Sequence, residues 1–221
     1  MARSEVLHEG GAQKTSYILF NQLEAQSANS SDDFYWNGQG WYGGDLNKLW
    51  FKTEGRSPLN SRDVEDAELQ ALYSRAIAPY WDIQAGIRHD FEPKSLDHAV
   101  VALQGLAPYF FEVDISAFLS TDGDLTVRAE LEYDLLLTQR LILQPRIEAN
   151  FSAQDIAERD LGEGLNNIDT GVRLRYEFTR EIAPYIGIEW QRSFGDTKRF
   201  IETAGGEPEQ TVLVAGIRVW F

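Results

Sequence analysis

The sequence predicts an all-β fold, a transmembrane antiparallel up-and-down β-barrel of about twelve strands. The main observation is a strict alternation of apolar and polar residues, which recurs along the whole chain. The second observation is an alternation of short turns with longer polar loops. Together they favour a barrel, because a closed sheet with one apolar face pairs every backbone polar group without water.

The C-terminal strand shows the alternation most clearly. Its apolar face carries Thr211, Leu213, Ala215, Ile217, Val219 and Phe221. Its other face carries Gln210, Gly216, Arg218 and Trp220. An apolar face that repeats in strand after strand is typical of contact with lipid. The alternative is a soluble β-sandwich, in which such faces would form the core.

The alternation and the turn residues together predict twelve strands along most of the chain. They are expected at residues 14–25, 33–43, 46–55, 66–76, 80–90, 97–106, 109–119, 125–135, 140–151, 167–178, 183–193 and 210–221. Residues 1–13 are expected to form a flexible N-terminal segment, and residues 14–221 a single barrel domain.

Short turns mark one rim of the predicted barrel. The motif Ala-Pro-Tyr, at residues 78–80, 107–109 and 183–185, is expected at three of these turns. The longer connections, at residues 55–65, 152–166 and 195–209, are expected at the opposite rim. Bacterial outer-membrane barrels place their short turns on the periplasmic side, so we expect the same orientation and location here.

Aromatic residues gather near both rims and predict two interfacial girdles, in contact with outer-membrane lipid and lipopolysaccharide. The periplasmic girdle is expected to contain Trp41, Tyr42, Tyr80, Trp81, Tyr109, Tyr185 and Phe221. The opposite girdle is expected to contain Phe34, Tyr35, Phe91, Phe151, Trp190 and Phe194.

Composition narrows the possible functions. The mean hydropathy of −0.35 argues against a helical membrane protein. The formal net charge of −15 disfavours nucleic acid as a partner and favours cations. Cysteine is absent, which excludes disulfides and thiolate metal sites. No secretory signal opens the chain, so an exported protein is expected to have lost it.

Charged residues that alternate with apolar ones are expected to face the lumen, because an Arg or Lys on the lipid face costs about 2–4 kcal/mol near the midplane. The predicted lumen-lining residues are Glu68, Asp82, Arg88, Glu112, Asp114, Arg128, Glu130, Glu132, Arg146, Glu148, Arg173, Arg175, Glu177, Glu189 and Arg218. The strand count does not decide between a closed, salt-bridged interior and a conducting pore. A barrel of about twelve strands is intermediate in size between barrels filled by side chains and barrels with a water-filled channel.

Five runs of residues stand out for their specific sequences. They are Trp41–Trp50 (WYGGDLNKLW), Ala67–Arg75 continuing into Ala78–Trp81, Leu136–Arg146 (LLTQRLILQPR), Gly171–Tyr176 and Ala215–Phe221. These runs resemble the copper resistance protein B family of the outer membrane, and the resemblance covers nearly all of the chain from about residue 15 onward.

The resemblance implies an outer-membrane barrel that binds copper ions and helps to remove or sequester them, beside a periplasmic multicopper oxidase. Members commonly carry a Met- and His-rich segment ahead of the barrel, which we expect to be missing here because Met1 is the only methionine. The second interpretation is therefore a structural or general transport barrel whose copper binding lay in that segment. We expect a monomer, because closure removes the sheet edges.

Few side chains in the sequence could bind copper. Without Cys, and with one Met, any site in the barrel should prefer Cu(II), which accepts imidazole and oxygen ligands, over Cu(I). A hairpin near Pro93 would set His89 and His98 across from each other, beside Asp90. These three residues are the predicted metal site, and two unrelated rim histidines are the alternative. His8 lies in the N-terminal segment.

No enzymatic activity is predicted. Ser95 near His98 is the only close pair that fits a hydrolase, so a lipid-modifying enzyme would depend on those two residues. The sequence contains neither a phosphate-binding loop nor the spacing of a zinc site.

Overall fold

The computed structural model describes residues 14–28, 31–61 and 63–221. The predicted N-terminal segment, with His8, lies outside these residues. The described chain forms one antiparallel sheet that closes on itself, which confirms the predicted barrel. Its strands are β1 (Thr15–Ser27), β2 (Asp32–Gly43), β3 (Asn47–Pro58), β4 (Asp66–Ala78), β5 (Trp81–Glu92), β6 (Leu96–Ala107), β7 (Phe111–Ser120), β8 (Leu125–Glu132), β9 (Leu135–Leu136), β10 (Leu141–Ser152), β11 (Gly164–Tyr176), β12 (Ile182–Ser193) and β13 (Glu209–Trp220).

Segments β8 and β9 form a single interrupted strand, so the barrel has the twelve strands predicted. Both segments pair with β10, β8 through Glu132 opposite Arg146 and β9 through Leu135 opposite Leu143. Between them, the N–H of Tyr133 donates to the carbonyl oxygen of Pro145 at 3.1 Å. Pro145 has no N–H to return, which accounts for the break in the ladder.

The first and last strands close the barrel. β1 pairs with β13 antiparallel, from Ser27 opposite Leu213 to Leu19 opposite Trp220. At the end of this seam the N–H groups of Ile18 and Phe221 each donate to the other residue's carbonyl oxygen, at 3.1 and 2.8 Å. No edge strand is left among the described residues, so this sheet cannot add a strand from another chain.

The two ends of the barrel differ in their connections. At the short-turn end, β4 and β5 are joined by Pro79 and Tyr80. At the long-loop end, residues 153–163 contain a 3₁₀ turn at Ala157–Arg159, and residues 194–208 contain helix α1 (Gly195–Thr203), which the alternation pattern does not predict. Among the described residues, no helix is both long and apolar enough to cross a membrane.

Neighbouring residues of a strand point to opposite sides of the wall. On β13, Leu213 is 62% exposed on the outer face, whereas Val212 and Val214 are each 3% exposed on the inner face. The outer face carries many exposed large apolar side chains along the strands, such as Leu69, Ile87 and Ile186, as a membrane-spanning wall requires. The inner face is mostly polar but also holds a small apolar cluster of Leu72, Val100 and Phe118.

Two details of the predicted rims are wrong. The third Ala-Pro-Tyr motif, residues 183–185, lies within β12 and not in a turn. Tyr35 and Tyr185, expected in the aromatic girdles, are 8% and 5% exposed inside the barrel. Phe34 and Tyr35 are adjacent on β2, so the alternation of the strand allows only one of them to face outward, and Phe34 does.

Candidate functional site

The barrel interior contains three cavities that adjoin one another. The short-turn cavity, of about 590 Å³, lies among Lys48, Trp50, Asp82 and the turn at residues 76–80. It shares Gln104 and Gly105 with the middle cavity, of about 310 Å³. The long-loop cavity, of about 510 Å³, extends from the middle of the barrel to the loops and α1.

Carboxylates outnumber basic side chains in the walls of the middle cavity and of the long-loop cavity. The middle cavity has six carboxylates and three bases: Glu54, Glu68, Glu112, Asp114, Glu130 and Glu132 with Lys52, Arg128 and Arg218. The long-loop cavity has eight and five: Glu54, Asp66, Glu68, Asp90, Glu92, Asp160, Asp169 and Glu207 with Arg56, Arg88, Arg128, Arg159 and Arg192. Each cavity therefore has a formal charge of −3, which attracts cations.

Arg128 extends across the interior from β8 to β3 and β4. Its Nη1 atom donates to Glu54 at 2.7 Å, and its Nη2 atom donates to Glu68 at 3.4 Å. Strands β5, β6 and β7 lie between Arg128 and Glu68 in the sheet, so this contact crosses the lumen and does not follow the wall.

Glu68 also binds a second arginine. Arg88 Nη1 lies 2.7 Å from Glu68, and Arg88 Nε donates to Asp90 at 2.5 Å. The guanidinium of Arg88 lies 4.8 Å from the ring centroid of Phe118. Glu68, Arg88 and Asp90 are all under 10% exposed, so these contacts are shielded from solvent and hold one geometry.

A second group of charges lines the wall from β8 to β11. Arg146 contacts three carboxylates, Glu130 at 2.8 Å, Glu132 at 3.4 Å and Glu148 at 2.5 Å. Its β11 neighbour Arg173 contacts Glu189 at 2.8 Å. The interior charges are thus extensively paired, as opposite charges on neighbouring strands allow.

Charged pairs also occur near the short-turn end. Lys48 contacts Asp82 at 3.0 Å, and Lys52 contacts Asp114 at 2.5 Å. Asp134 lies 2.6 Å from Arg175 and 3.8 Å from Arg218.

The structure places the predicted lumen residues as follows. Those buried are Glu68, Arg88, Glu132, Arg146, Glu148, Arg173, Arg175 and Glu189. Those half-buried are Asp82, Asp114, Arg128, Glu130, Glu177 and Arg218, whereas Glu112 is exposed in the wall of the middle cavity. Glu177 follows the end of β11 and lies 4.0 Å from Arg180 in the short turn.

Several interior residues are absent from the sequence-based set. Lys48, Lys52 and Glu54 alternate with Leu49, Phe51 and Thr53 on β3, so the period-two pattern could have found them. Phe118 also lies inside, and its apolar side chain gives no sign of an inner position.

The structure does not bring His89, His98 and Asp90 together as one site. Across the β5–β6 hairpin, His98 lies opposite Arg88, and His89 lies opposite Asp97. This register is one residue away from a direct His89–His98 pair, so the two imidazoles project from opposite faces of the sheet. His89 Nδ1 bonds to Asp97 at 2.7 Å, whereas the buried His98 lies inside, with Nδ1 3.9 Å from Asp90.

Ion pairs connect the loops at the long-loop end. Lys94 contacts Asp122 at 3.3 Å and also bonds to Glu158, which joins three loops through one ammonium group. The hydrogen bonds that Lys94 donates to Glu158 and to Asp122 raise the pKa of Lys94. Arg159, next to Glu158 in its loop, reaches inward to 3.7 Å from Asp90.

Helix α1 packs against the loop of residues 153–163. Thr197 Oγ1 accepts hydrogen bonds from the N–H of Gly162 at 2.8 Å and from Asn166 Nδ2 at 3.1 Å. Thr197 and Ile201 of this helix also line the long-loop cavity. The helix and the loop therefore partly cover the cavity at this end. Among the described residues, no group of three or more His, Asp or Glu side chains is arranged to hold a metal ion.

Solved structures share this architecture. The NanC porin matches with a TM-score of 0.59 and 12% sequence identity, over 93% of this chain and 99% of that one. Outer membrane phospholipase A from Escherichia coli matches with a TM-score of 0.53 and 10% identity, over 99% and 98%. At these identities the likeness shows the fold alone, a barrel of the outer-membrane porin type.

Curated relatives are much more similar in sequence. Copper resistance protein B of Escherichia coli is 44% identical over 92% of this chain and 69% of its own length. The Copper resistance protein B homolog of Pseudomonas syringae pv. tomato is 40% identical over 93% and 70%. The family described as Copper resistance protein B precursor (CopB) matches residues 14–221, the whole of the barrel. A barrel with this interior and these relatives belongs to the copper resistance protein B family and has a role in copper resistance.

Proposed function

We propose that this protein lies in the bacterial outer membrane with its short-turn end toward the periplasm, binds copper ions, and contributes to resistance by efflux or sequestration. Membership of the copper resistance protein B family and the fold of outer-membrane porins support this proposal. The copper ion is the cargo or ligand of the barrel and is not a catalytic cofactor.

The observation that carries the proposal is the excess of carboxylates in the walls of both the middle and the long-loop cavities. A surplus of negative charge in a narrow space with low-dielectric walls raises the local concentration of cations. Carboxylate oxygens and imidazole nitrogen are ligands that suit Cu(II), and Cys and additional Met are absent from the sequence. We therefore propose Cu(II) as the bound species.

Of the predicted rim ligands, His98 and Asp90 remain candidates for this role. The Nδ1 atom of His98 is buried and has no hydrogen-bond partner in the described part of the chain, and it lies 3.9 Å from Asp90. His89 points away from them, and it is paired with Asp97 on the outer face.

Copper titration of the purified, detergent-folded barrel tests the proposal. Isothermal titration calorimetry should detect Cu(II) binding, and Asp90→Asn with Glu92→Gln, both in the wall of the long-loop cavity, should weaken it about 5- to 30-fold, as expected for the loss of two nearby charges. Glu202→Gln, on the exposed surface of α1, is the matched control and should leave the affinity unchanged. Equal affinities in all three proteins would contradict copper binding by the interior carboxylates.

The second candidate is a structural or general transport barrel whose copper binding lies in a Met- and His-rich segment outside the barrel. The extensive pairing of interior charges favours it, because paired carboxylates are less available to a metal. In that case, the titration would find no Cu(II) binding that depends on interior residues.

We further propose that the protein is a monomer without enzymatic activity, and that a periplasmic multicopper oxidase is a candidate partner at the short-turn end. A hydrolase would need Ser95 and His98 to act together. Ser95 lies exposed in a turn, whereas the His98 side chain is 2% exposed and faces the interior. Light scattering of the purified barrel tests the monomer, and a lipase assay tests the absence of hydrolysis.

A further inference from the structure

The middle cavity and the long-loop cavity meet at a single group of side chains. Glu54, Glu68, Phe118 and Arg128 line both cavities. Any ion or molecule that moves between the cavities must therefore pass these four residues. This group is called the partition below.

Arg128 is the residue of the partition that extends across the space. Its three guanidinium nitrogens lie 2.7 Å from Glu54, 3.4 Å from Glu68 and 3.8 Å from Glu148. These carboxylates belong to β3, β4 and β10, while Arg128 belongs to β8. The guanidinium is thus held from opposite sides of the barrel, most strongly by the charge-assisted hydrogen bond to Glu54.

Phe118 provides a rigid surface beside this guanidinium. It is 2% exposed and packs with Leu72 and Val100, which are also buried. The Arg128 guanidinium lies 5.8 Å from its ring centroid, and that of Arg88 lies 4.8 Å from it. The ring therefore limits the positions that either arginine can take.

We infer that Arg128 is the barrier between the two cavities, and that a divalent cation crossing the barrel must displace its guanidinium from Glu54 and Glu68. The guanidinium fills the junction and places a positive charge there. Its displacement would leave two facing carboxylates, on paired positions of β3 and β4, to receive the cation. The barrier itself needs no copper; only the cation step rests on the proposed function.

Conductance in planar bilayers tests the barrier. Arg128→Ala should raise the conductance in KCl at least about threefold and shift the selectivity toward K⁺, because it opens the junction and removes a positive charge. Arg146→Ala is the matched control, since Arg146 also contacts three carboxylates but lies outside the residues that line the two cavities. It should leave the conductance near that of the unmodified barrel.

Folding of each variant is checked by the shift of its band on gels with and without heating. If Arg128→Ala does not fold, Arg128→Gln should show the same change with a smaller increase. A folded Arg128 variant with unchanged conductance, or an equal increase in Arg146→Ala, would overturn the inference.

Copper flux separates this inference from the proposed function. In liposomes that contain a Cu(II)-quenched dye, Arg128→Ala should increase the rate of quenching by at least about threefold over the unmodified barrel. An increase in KCl conductance without any copper flux would keep the barrier and contradict the copper passage. No increase in either measurement would contradict the barrier.

Discussion

Arg173 on β11 and Glu24 on β1 are joined inside the barrel by two hydrogen bonds, of 3.1 and 3.0 Å, although β12 and β13 lie between their strands. Both residues are at most 2% exposed. Tyr185 also donates to Glu24, at 3.0 Å. Because the seam between β1 and β13 closes the barrel, this contact ties the closing strand to the wall from within.

Removal of Arg173 should destabilise the barrel strongly. In Arg173→Met the carboxylate of Glu24 would stay buried without its charged partner, and loss of one member of a buried pair costs about 3–5 kcal/mol. The measurement is the urea dependence of folding in detergent, followed by tryptophan fluorescence. Arg192→Met is the control, because Arg192 and Glu209 form an exposed pair 3.7 Å apart, which contributes under about 1 kcal/mol. If Arg173→Met lost no more free energy of unfolding than Arg192→Met, the interior contact would not stabilise the closed barrel.

The strand pattern predicted the barrel well where one face of a strand is polar. On β4, Glu68, Gln70 and Ser74 lie inside, and Leu69 and Tyr73 lie outside, as the alternation indicates. On β13 the alternation also places Leu213 outside, as observed, but the buried residues Val212 and Val214 are apolar and give no sign of their inner position. On this strand the inner face is indicated by Gln210 and Arg218 alone.

Local irregularities account for other residues that the sequence does not reveal. A bulge in β1, between Phe20 and Gln22, changes the phase of the alternation. Leu19 is buried before the bulge and Glu24 after it, so a strict period of two cannot place both inside. Glu24, the partner of Arg173, is missed for this reason.

The register of a hairpin, and not only its presence, decides which side chains lie on the same face of the sheet. The turn near Pro93 was predicted, and β5 and β6 do pair across it. A shift of one residue separates His89 from His98, because neighbouring positions on a strand face opposite sides. The contacts of Arg128 cross the barrel and depend on its closed shape, so pairing between adjacent strands gives no indication of them.

Gly86 should tolerate no side chain. A Cβ atom at this position on β5 would lie 2.1 Å from the carbonyl oxygen of Ala71 and 2.8 Å from the Cα atom of Leu72, both backbone atoms of β4. Gly86→Ala should therefore lower the free energy of unfolding by about 1–3 kcal/mol, as overpacking does. The same urea titration measures this loss.

Gly171→Ala provides the comparison for Gly86→Ala. Its Cβ atom would lie 3.2 Å from the end of the Arg173 side chain and 3.3 Å from the carbonyl oxygen of Ile188, whereas the Cβ atom at position 86 would lie only 2.1 Å from a carbonyl oxygen. We expect a smaller loss than at Gly86, and a larger one would contradict the role of backbone contact in this difference.

The Lys94 contacts should depend on pH at the alkaline end. The hydrogen bonds that Lys94 donates to Glu158 and Asp122 raise its pKa in the folded protein. A raised pKa means that the contribution is fully present below the unfolded value, about 10.4, and is lost as the pH rises through the folded value. We therefore expect the three loops to stay together from neutral pH to about pH 10 and to separate as the pH rises through the raised pKa of Lys94.

Spin labels can follow these loops, because the chain has no native cysteine. Labels on Thr121→Cys and Ala157→Cys should give a narrow distance distribution at neutral pH and a broader one above the folded pKa. Lys94→Met should give the broad distribution at every pH. If Lys94→Met leaves the distribution narrow, Lys94 does not hold the loops.

Bound Cu(II) should be coordinated by a single imidazole if the proposed site is correct. His98 faces the interior beside Asp90, and His89 faces outward beside Phe91, so the two cannot bind one ion. The EPR spectrum of the copper-loaded barrel should show coupling to one imidazole nitrogen. His98→Ala should remove this coupling, and His89→Ala should keep it. Asp90 already contacts Arg88 and Arg159, so the ion must displace at least one of these arginines. The contact with Arg159, at 3.7 Å, is the weaker one. Arg159→Gln should therefore bind Cu(II) more tightly than the unmodified barrel. Coupling that survives in His98→Ala would place the copper elsewhere, and coupling lost in His89→Ala would require the opposite face of the sheet.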